Sequence, residues 1–115
     1  MKRIIALYLN DILEAIERIE KYTDGLTFEN FSKNPLVVDA VIRNFEIIGE
    51  AAKHIPAEVK KNQPQIQWKE MAGMRDKLSH EYFGVNMEIL WRTAKNRLPV
   101  LKPQIKKLIY EEGKS

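Results

Sequence analysis

The sequence predicts an all-α protein, a bundle of four to five helices forming one domain over residues 1–115, and three observations lead there. Apolar residues recur at three- or four-residue steps through most of the chain. No stretch alternates with period two for long enough to make a strand. Breakers are few, with 5 Gly and 5 Pro in 115 residues, a length that suits a single compact unit.

Ile5, Leu9, Ile12, Ile16 and Ile19 form the stripe of a first helix, with Glu14, Glu17, Arg18, Glu20 and Lys21 turned outward. Gly25 is its natural stop. A short helical turn over Thr27 to Lys33 is expected to bury Phe28 and Phe31. Asn34-Pro35 reads as an N-cap followed by Pro at the first helical position, where its missing N–H costs nothing. The helix it opens carries Val37, Val41, Phe45, Ile48, Ala51, Ala52 and Ile55 and runs to Pro56. Gly49, beside Ala51 and Ala52, weakens it locally and suggests close approach of a neighbouring backbone. Pro56 to Gln67 is polar and reads as a short helix and a loop.

Trp68 begins a third long helix, with Met71, Ala72, Arg75, Leu78, Ser79 and Tyr82 on or near one stripe and Gly84 ending or bending it. Asn86 is placed to cap the last helix, with Val85 and Leu90 as a hydrophobic staple. Leu90, Ala94, Leu98, Leu101, Ile105 and Leu108 make its seam. Pro99 removes a ladder bond and crowds the carbonyl four residues back, so a kink or break is expected there, with Pro103 one turn later. Leu7, Tyr8, Val38, Ile42, Ile47 and Ile109 fall off the main stripes, and apolar surface left over after one bundle closes favours a dimer.

Composition excludes several chemistries. With no Cys there are no disulfides, thiolate nucleophiles or Cys-ligated metals, and only His54 and His80 supply imidazoles. No apolar run approaches the roughly 20 residues of a membrane helix. The run at 4–9 leads straight into Asn10, Asp11 and Glu14 without a small-residue cleavage site, unlike a signal peptide. A cytoplasmic protein with no membrane association is therefore expected. The net charge of +3 is unevenly spread: residues 1–50 carry net −3 and residues 51–115 net +6. Between Glu88 and Glu111 there is no acid, but there are Arg92, Lys95, Arg97, Lys102, Lys106 and Lys107, a candidate track for a polyanion such as RNA.

Two clusters carry titratable groups at helical spacing. Glu46, Glu50 and His54 stand at i, i+4 and i+8. No second acidic cluster faces them, so they read as a solvated or dimer-facing row; neither a metal nor a cofactor is expected. The second runs from Gly73 to Tyr82. Asp76 and His80 are four apart, so the carboxylate can accept from one ring nitrogen and fix the tautomer of the other. Arg75 and His80 are five apart, roughly 140° in azimuth on an ideal helix. Either the helix distorts before His80, or the pair meets copies from a second chain. An imidazole that moves protons and a guanidinium that stabilises charge on phosphate suit RNA cleavage in which the 2′-OH attacks its own phosphodiester.

Arg75, four residues, His80, one residue and Tyr82 resemble the R-x4-H-x-Y signature of HEPN-domain toxins of the HepT type. The segment from Arg43 to Lys53, with its I-G-E-A-A-K run, resembles that family's characteristic helix. So do Trp68 with Gly73-Met74-Arg75, the stretch His80 to Phe83, Ile89-Leu90-Trp91, and Leu98-Pro99, so that the likeness covers essentially the whole chain.

The resemblance implies a HEPN-like helical bundle that dimerises so that two such motifs face one cleft. It implies a metal-independent endoribonuclease, the toxin of a pair whose antitoxin is a minimal nucleotidyltransferase. Arg75 would hold the scissile phosphate, His80 would be general base or acid, and Tyr82 would accept AMP from the antitoxin. Asp76 stands where the family more often has Asn, and a carboxylate there repels phosphate; it would either tune His80 or mark a weakened nuclease. The rival expectation is a non-catalytic helical subunit that binds a minimal nucleotidyltransferase, and a third is a nonspecific nucleic-acid binder.

Overall fold

In the computed structural model the described residues are 2–80 and 86–114, with side chains at 3–74 and 86–113. All regular structure among them is helical: α1 (Lys2–Thr23), α2 (Phe28–Ser32), α3 (Pro35–Lys53), α4 (Ala57–Asn62), α5 (Trp68–His80), α6 (Met87–Arg92), a π turn (Thr93–Arg97) and α7 (Leu98–Lys114). Four long helices thus build the bundle, the last of them made of α6, the π turn and α7 in unbroken succession. The helix α3 lies between α1 and α5, and α7 packs on α1.

Local chemistry sets the boundaries. Thr23 ends α1 by donating its buried hydroxyl to the Ile19 carbonyl at 2.8 Å, and Gly25, at φ 74°, takes the left-handed turn that follows. Thr27 caps α2 by accepting from the Asn30 N–H, and Asn34 caps α3 by accepting from the Val37 N–H at 3.2 Å with Pro35 next, as the dipeptide predicted. Trp68, starting α5, donates its indole N–H to the Gln63 carbonyl at 3.2 Å and so closes the loop behind α4. Asn86 caps α6 through the Glu88 and Ile89 N–H groups. The staple partner Val85, and Gly84 as the end or bend of α5, lie outside the described residues.

The core collects the predicted stripes. Leu9, Ile12, Ile16 and Ile19 of α1, Val41, Phe45, Ile48 and Ala52 of α3, and Leu90, Ala94, Leu98, Leu101, Ile105 and Leu108 of the last helix are all buried. Three expectations are corrected. Val38 and Ile42 are core residues at 4% and 5% exposure, because α3 is flanked by α1 and α5 and buries more than one stripe. Phe28 stays 38% exposed, tilted against Trp91, while Phe31 is fully buried with its ring 5.1 Å from Trp91. Pro99 does not break the last helix. The preceding turn widens to the π form, with the Leu98 N–H reaching the Thr93 carbonyl, five residues back. That wide turn contains Lys95, whose carbonyl the Pro99 ring would crowd in a tight α-turn.

Candidate functional site

Arg75, Asp76 and His80, and the basic track, lie late in the chain, on two helices. Arg75, Asp76 and His80 fall within the last six positions of α5, which is regular as far as His80. Their side chains lie beyond those described, and Tyr82 lies outside the described residues altogether. With no break in α5 before His80, positions 75 and 80 stay roughly 140° apart in azimuth.

The basic residues of the last helix are held differently from one another. Arg92 pairs with Glu88 on its own helix at 3.2 Å, and Lys95 sits 5.1 Å from the Trp91 ring centre with its ammonium 3.4 Å from the Thr23 carbonyl. Lys102 crosses to α1, where it meets Glu20 at 2.8 Å and Glu17 at 3.8 Å. The hydrogen bond to Glu20, then the charges of Glu20 and Glu17, hold its pKa above the ordinary lysine value, against burial acting the other way. It therefore ties α7 to α1. Arg97 donates to the Gln67 side-chain oxygen at 3.1 Å, and Lys106 is exposed.

The row Glu46, Glu50 and His54 edges a cleft of about 380 Å³ between α1 and α3, which Asp11 and Arg43 also line. His54 stacks on Tyr8 at 4.8 Å with the rings 10° from parallel, and its Nε2 lies 3.5 Å from Glu50. Among the described residues, no three His, Asp or Glu side chains are grouped to hold a metal ion.

A second cavity, of about 320 Å³, opens among α3, α5 and the last helix. Sequence reasoning did not find it. Phe45, Ile48, Met71 and Leu101 make the apolar floor, while Gln65, Gln67, Gln104, Glu70 and Arg97 reach its rim. Met74, the residue before Arg75, is part of the wall, so the cavity adjoins the segment that carries the motif. The π turn shapes the opposite wall: Thr93, Arg97 and Leu98, at i, i+4 and i+5, all line it. The only sequence trace of this feature is a pair of consecutive four-residue steps, Leu90 to Ala94 to Leu98, just ahead of Pro99.

An all-α bundle with an Arg and a His five apart near the end of an internal helix is consistent with the HEPN-like class of helical domains. Comparison makes the assignment specific: the chain belongs to the family described as Ribonuclease HepT-like, whose family model matches residues 12–108. It is 52% identical over 108 residues to a protein named "Probable ribonuclease HepT" from Thermococcus cleftensis, covering 94% of this chain and 98% of the other. It is 45% identical over 105 residues to one named "Putative RNase" from Caldanaerobacter subterraneus subsp. tengcongensis, covering 91% and 94%. A third relative, with a name of the same form, comes from Methanocaldococcus jannaschii and is 45% identical over 114 residues, covering 98% and 94%. No solved structure matches the chain. Among the described residues no helix is long and apolar enough to cross a membrane.

Proposed function

We propose that the protein is a metal-independent endoribonuclease, the toxin of a pair completed by a minimal nucleotidyltransferase antitoxin, and that it works in the cytoplasm as a homodimer. The observation that carries this reading is the R-x4-H-x-Y pattern at Arg75, His80 and Tyr82 inside a ribonuclease family match spanning residues 12–108. The regular course of α5 supports the two-chain site. Two groups 140° apart on one helix serve a single phosphodiester most simply when a twofold brings in the partner's copies.

In that site one His80 imidazole takes the proton of the ribose 2′-OH as the 2′-oxygen attacks phosphorus. The P–O5′ bond breaks, and the departing 5′-oxygen takes a proton from the His80 imidazolium of the second protomer. Arg75 bears the charge that grows on the non-bridging oxygens. The products are a 2′,3′-cyclic phosphate and a 5′-hydroxyl. Asp76 orients the imidazole. Regulation falls to Tyr82: its phenolic oxygen gives up its proton to solvent and attacks the α-phosphorus of ATP on the antitoxin, pyrophosphate leaves, and the AMP placed there sets a phosphate beside Arg75 in competition with RNA. Arg92, Lys95, Arg97 and Lys106 supply the longer-range attraction for RNA, with Lys102 contributing behind its two glutamates.

Incubation of RNA with the purified protein in EDTA tests the chemistry. Fragments ending in 2′,3′-cyclic phosphate are expected, and His80→Ala should abolish them. Full-length RNA with the wild type would instead favour the second reading, a non-catalytic subunit that binds the nucleotidyltransferase, which the phosphate-repelling Asp76 supports.

A further inference from the structure

We propose that the cavity between α5 and the last helix is a nucleobase pocket, which takes one unstacked base of a single-stranded RNA next to the bond that is cut. The inference rests on the ribonuclease reading and adds to it the part of the substrate that confers selectivity. The size and lining define the occupant. At about 320 Å³ the cavity is at the small end for ligand pockets and cannot seat a helix, whose diameter with side chains is about 10 Å. It does suit a single flat ring system.

The floor of Phe45, Ile48, Met71 and Leu101 offers apolar and polarizable surface to a base face. The rim offers carboxamides, which carry donors and acceptors together without net charge, the combination that pairs with base edges. Two of them are already positioned. Arg97 holds the Gln67 oxygen at 3.1 Å, a bond in which the amide's own N–H groups take no part, and Gln104 donates to the Gln65 carbonyl at 3.4 Å.

Charge sets the direction of the strand. Glu70 on the rim repels phosphate and can accept from an exocyclic amino group, so the backbone passes on the Arg97 side. The π turn fits the same account, since it is what brings Thr93, Arg97 and Leu98 to one wall, and wide turns of this kind concentrate at functional sites. Met74 in the opposite wall is followed directly by Arg75, so a base seated here leaves its neighbouring phosphate close to the proposed catalytic helix.

The methionines provide the readout, because Met71 and Met74 line the cavity and Met87 does not. The full-length protein, labelled with ¹³C at its methionine methyls, is titrated with 2′-O-methyl tetranucleotides of A, C, G or U, which lack the attacking hydroxyl and cannot be cut. Met71 and Met74 should shift while Met87 stays, and one base should be preferred. An abasic residue in place of that base should weaken binding about 10-fold, the size of one base-stacking contact. Gln67→Leu with Gln104→Leu, both away from the core, should flatten the preference while leaving the oligonucleotide bound. Binding with Met71 and Met74 unmoved, or equal affinity for the abasic strand, overturns the pocket. So do methionine shifts on dilution without RNA, which would mean that a second copy of the chain fills the cavity. Because these oligonucleotides report no chemistry, base-dependent binding supports the pocket even if ordinary RNA survives in EDTA, an outcome that refutes only the nuclease.

Discussion

Replacing Ile105 by Ala tests how the last helix is held. Ile105 is fully buried in the seam that runs from Leu98 to Leu108, on the helix that packs on α1. The substitution deletes three carbons, worth about 2.4 kcal/mol at ~0.8 kcal/mol for each. A hole of roughly 60 Å³ that the surrounding helices cannot close adds about 1.4 kcal/mol at ~24 cal/mol per Å³. The expected loss is therefore about 4 kcal/mol, a large share of a total stability on the order of 5–15 kcal/mol, and would lower Tm by about 15 °C. Urea unfolding followed by far-UV circular dichroism measures it, with Ile105→Val at about 1 kcal/mol as the milder step if the first variant does not fold. Leu36→Ala is the control, since Leu36 is 80% exposed and should cost no more than ~0.5 kcal/mol. A loss below about 1 kcal/mol for Ile105→Ala, or one no larger than the control's, would refute the packing argument.

Asn34→Ala removes the side-chain cap of α3 and should cost about 1 kcal/mol in the same assay, whereas no change would mean that Pro35 alone fixes that end. Lys102→Met removes the tie between α7 and α1. Because the folded state raises the Lys102 pKa, the stabilisation is fully present below the ordinary lysine value near 10.5 and fades as pH rises through the raised one. Wild type and variant should therefore differ at pH 7 and converge at strongly alkaline pH; a constant gap would contradict an ionic tie. Asp76→Asn, read by RNA cleavage, should lower kcat/KM about three- to ten-fold, as loss of the carboxylate that orients the His80 imidazole requires. A rise, larger at low salt than at high, would assign Asp76 to repelling phosphate instead. Sedimentation at micromolar concentration should give twice the 13.5 kDa chain mass, and a monomer would remove the shared site.

Residues that answer to one neighbour were legible in the sequence. The α1 stripe and the last-helix seam each lie along one line of the helical net, and the caps at Asn34 and Asn86 satisfy donors within three residues, so local rules sufficed. Val38 and Ile42 were misjudged because α3 has helices on two sides, and a stripe count assumes one. The motif at Arg75, His80 and Tyr82 was visible as spacing and residue type, and its family likeness through the rest of the chain. The cavity was not visible, because its lining comes from positions 45 to 104 and no local spacing relates Gln67 to Gln104. The same holds for Lys102 and Glu20, 82 residues apart, whose pairing exists only once α7 lies on α1.

The π turn has a consequence for chain length. Two four-residue steps in a row, Leu90 to Ala94 to Leu98, would carry a tightly wound helix about 80° off its seam, and the wide turn takes up that drift with one surplus residue. Deleting a single residue at 95 or 96 should let this stretch wind as ordinary helix with the downstream seam still facing inward. Thr93 and Arg97 would then stand three apart and Thr93 and Leu98 four apart, spacings that keep all three on one face. A chain one residue shorter would thus keep both seam and wall, and the surplus residue is the cost of an eight-residue stride between Leu90 and Leu98.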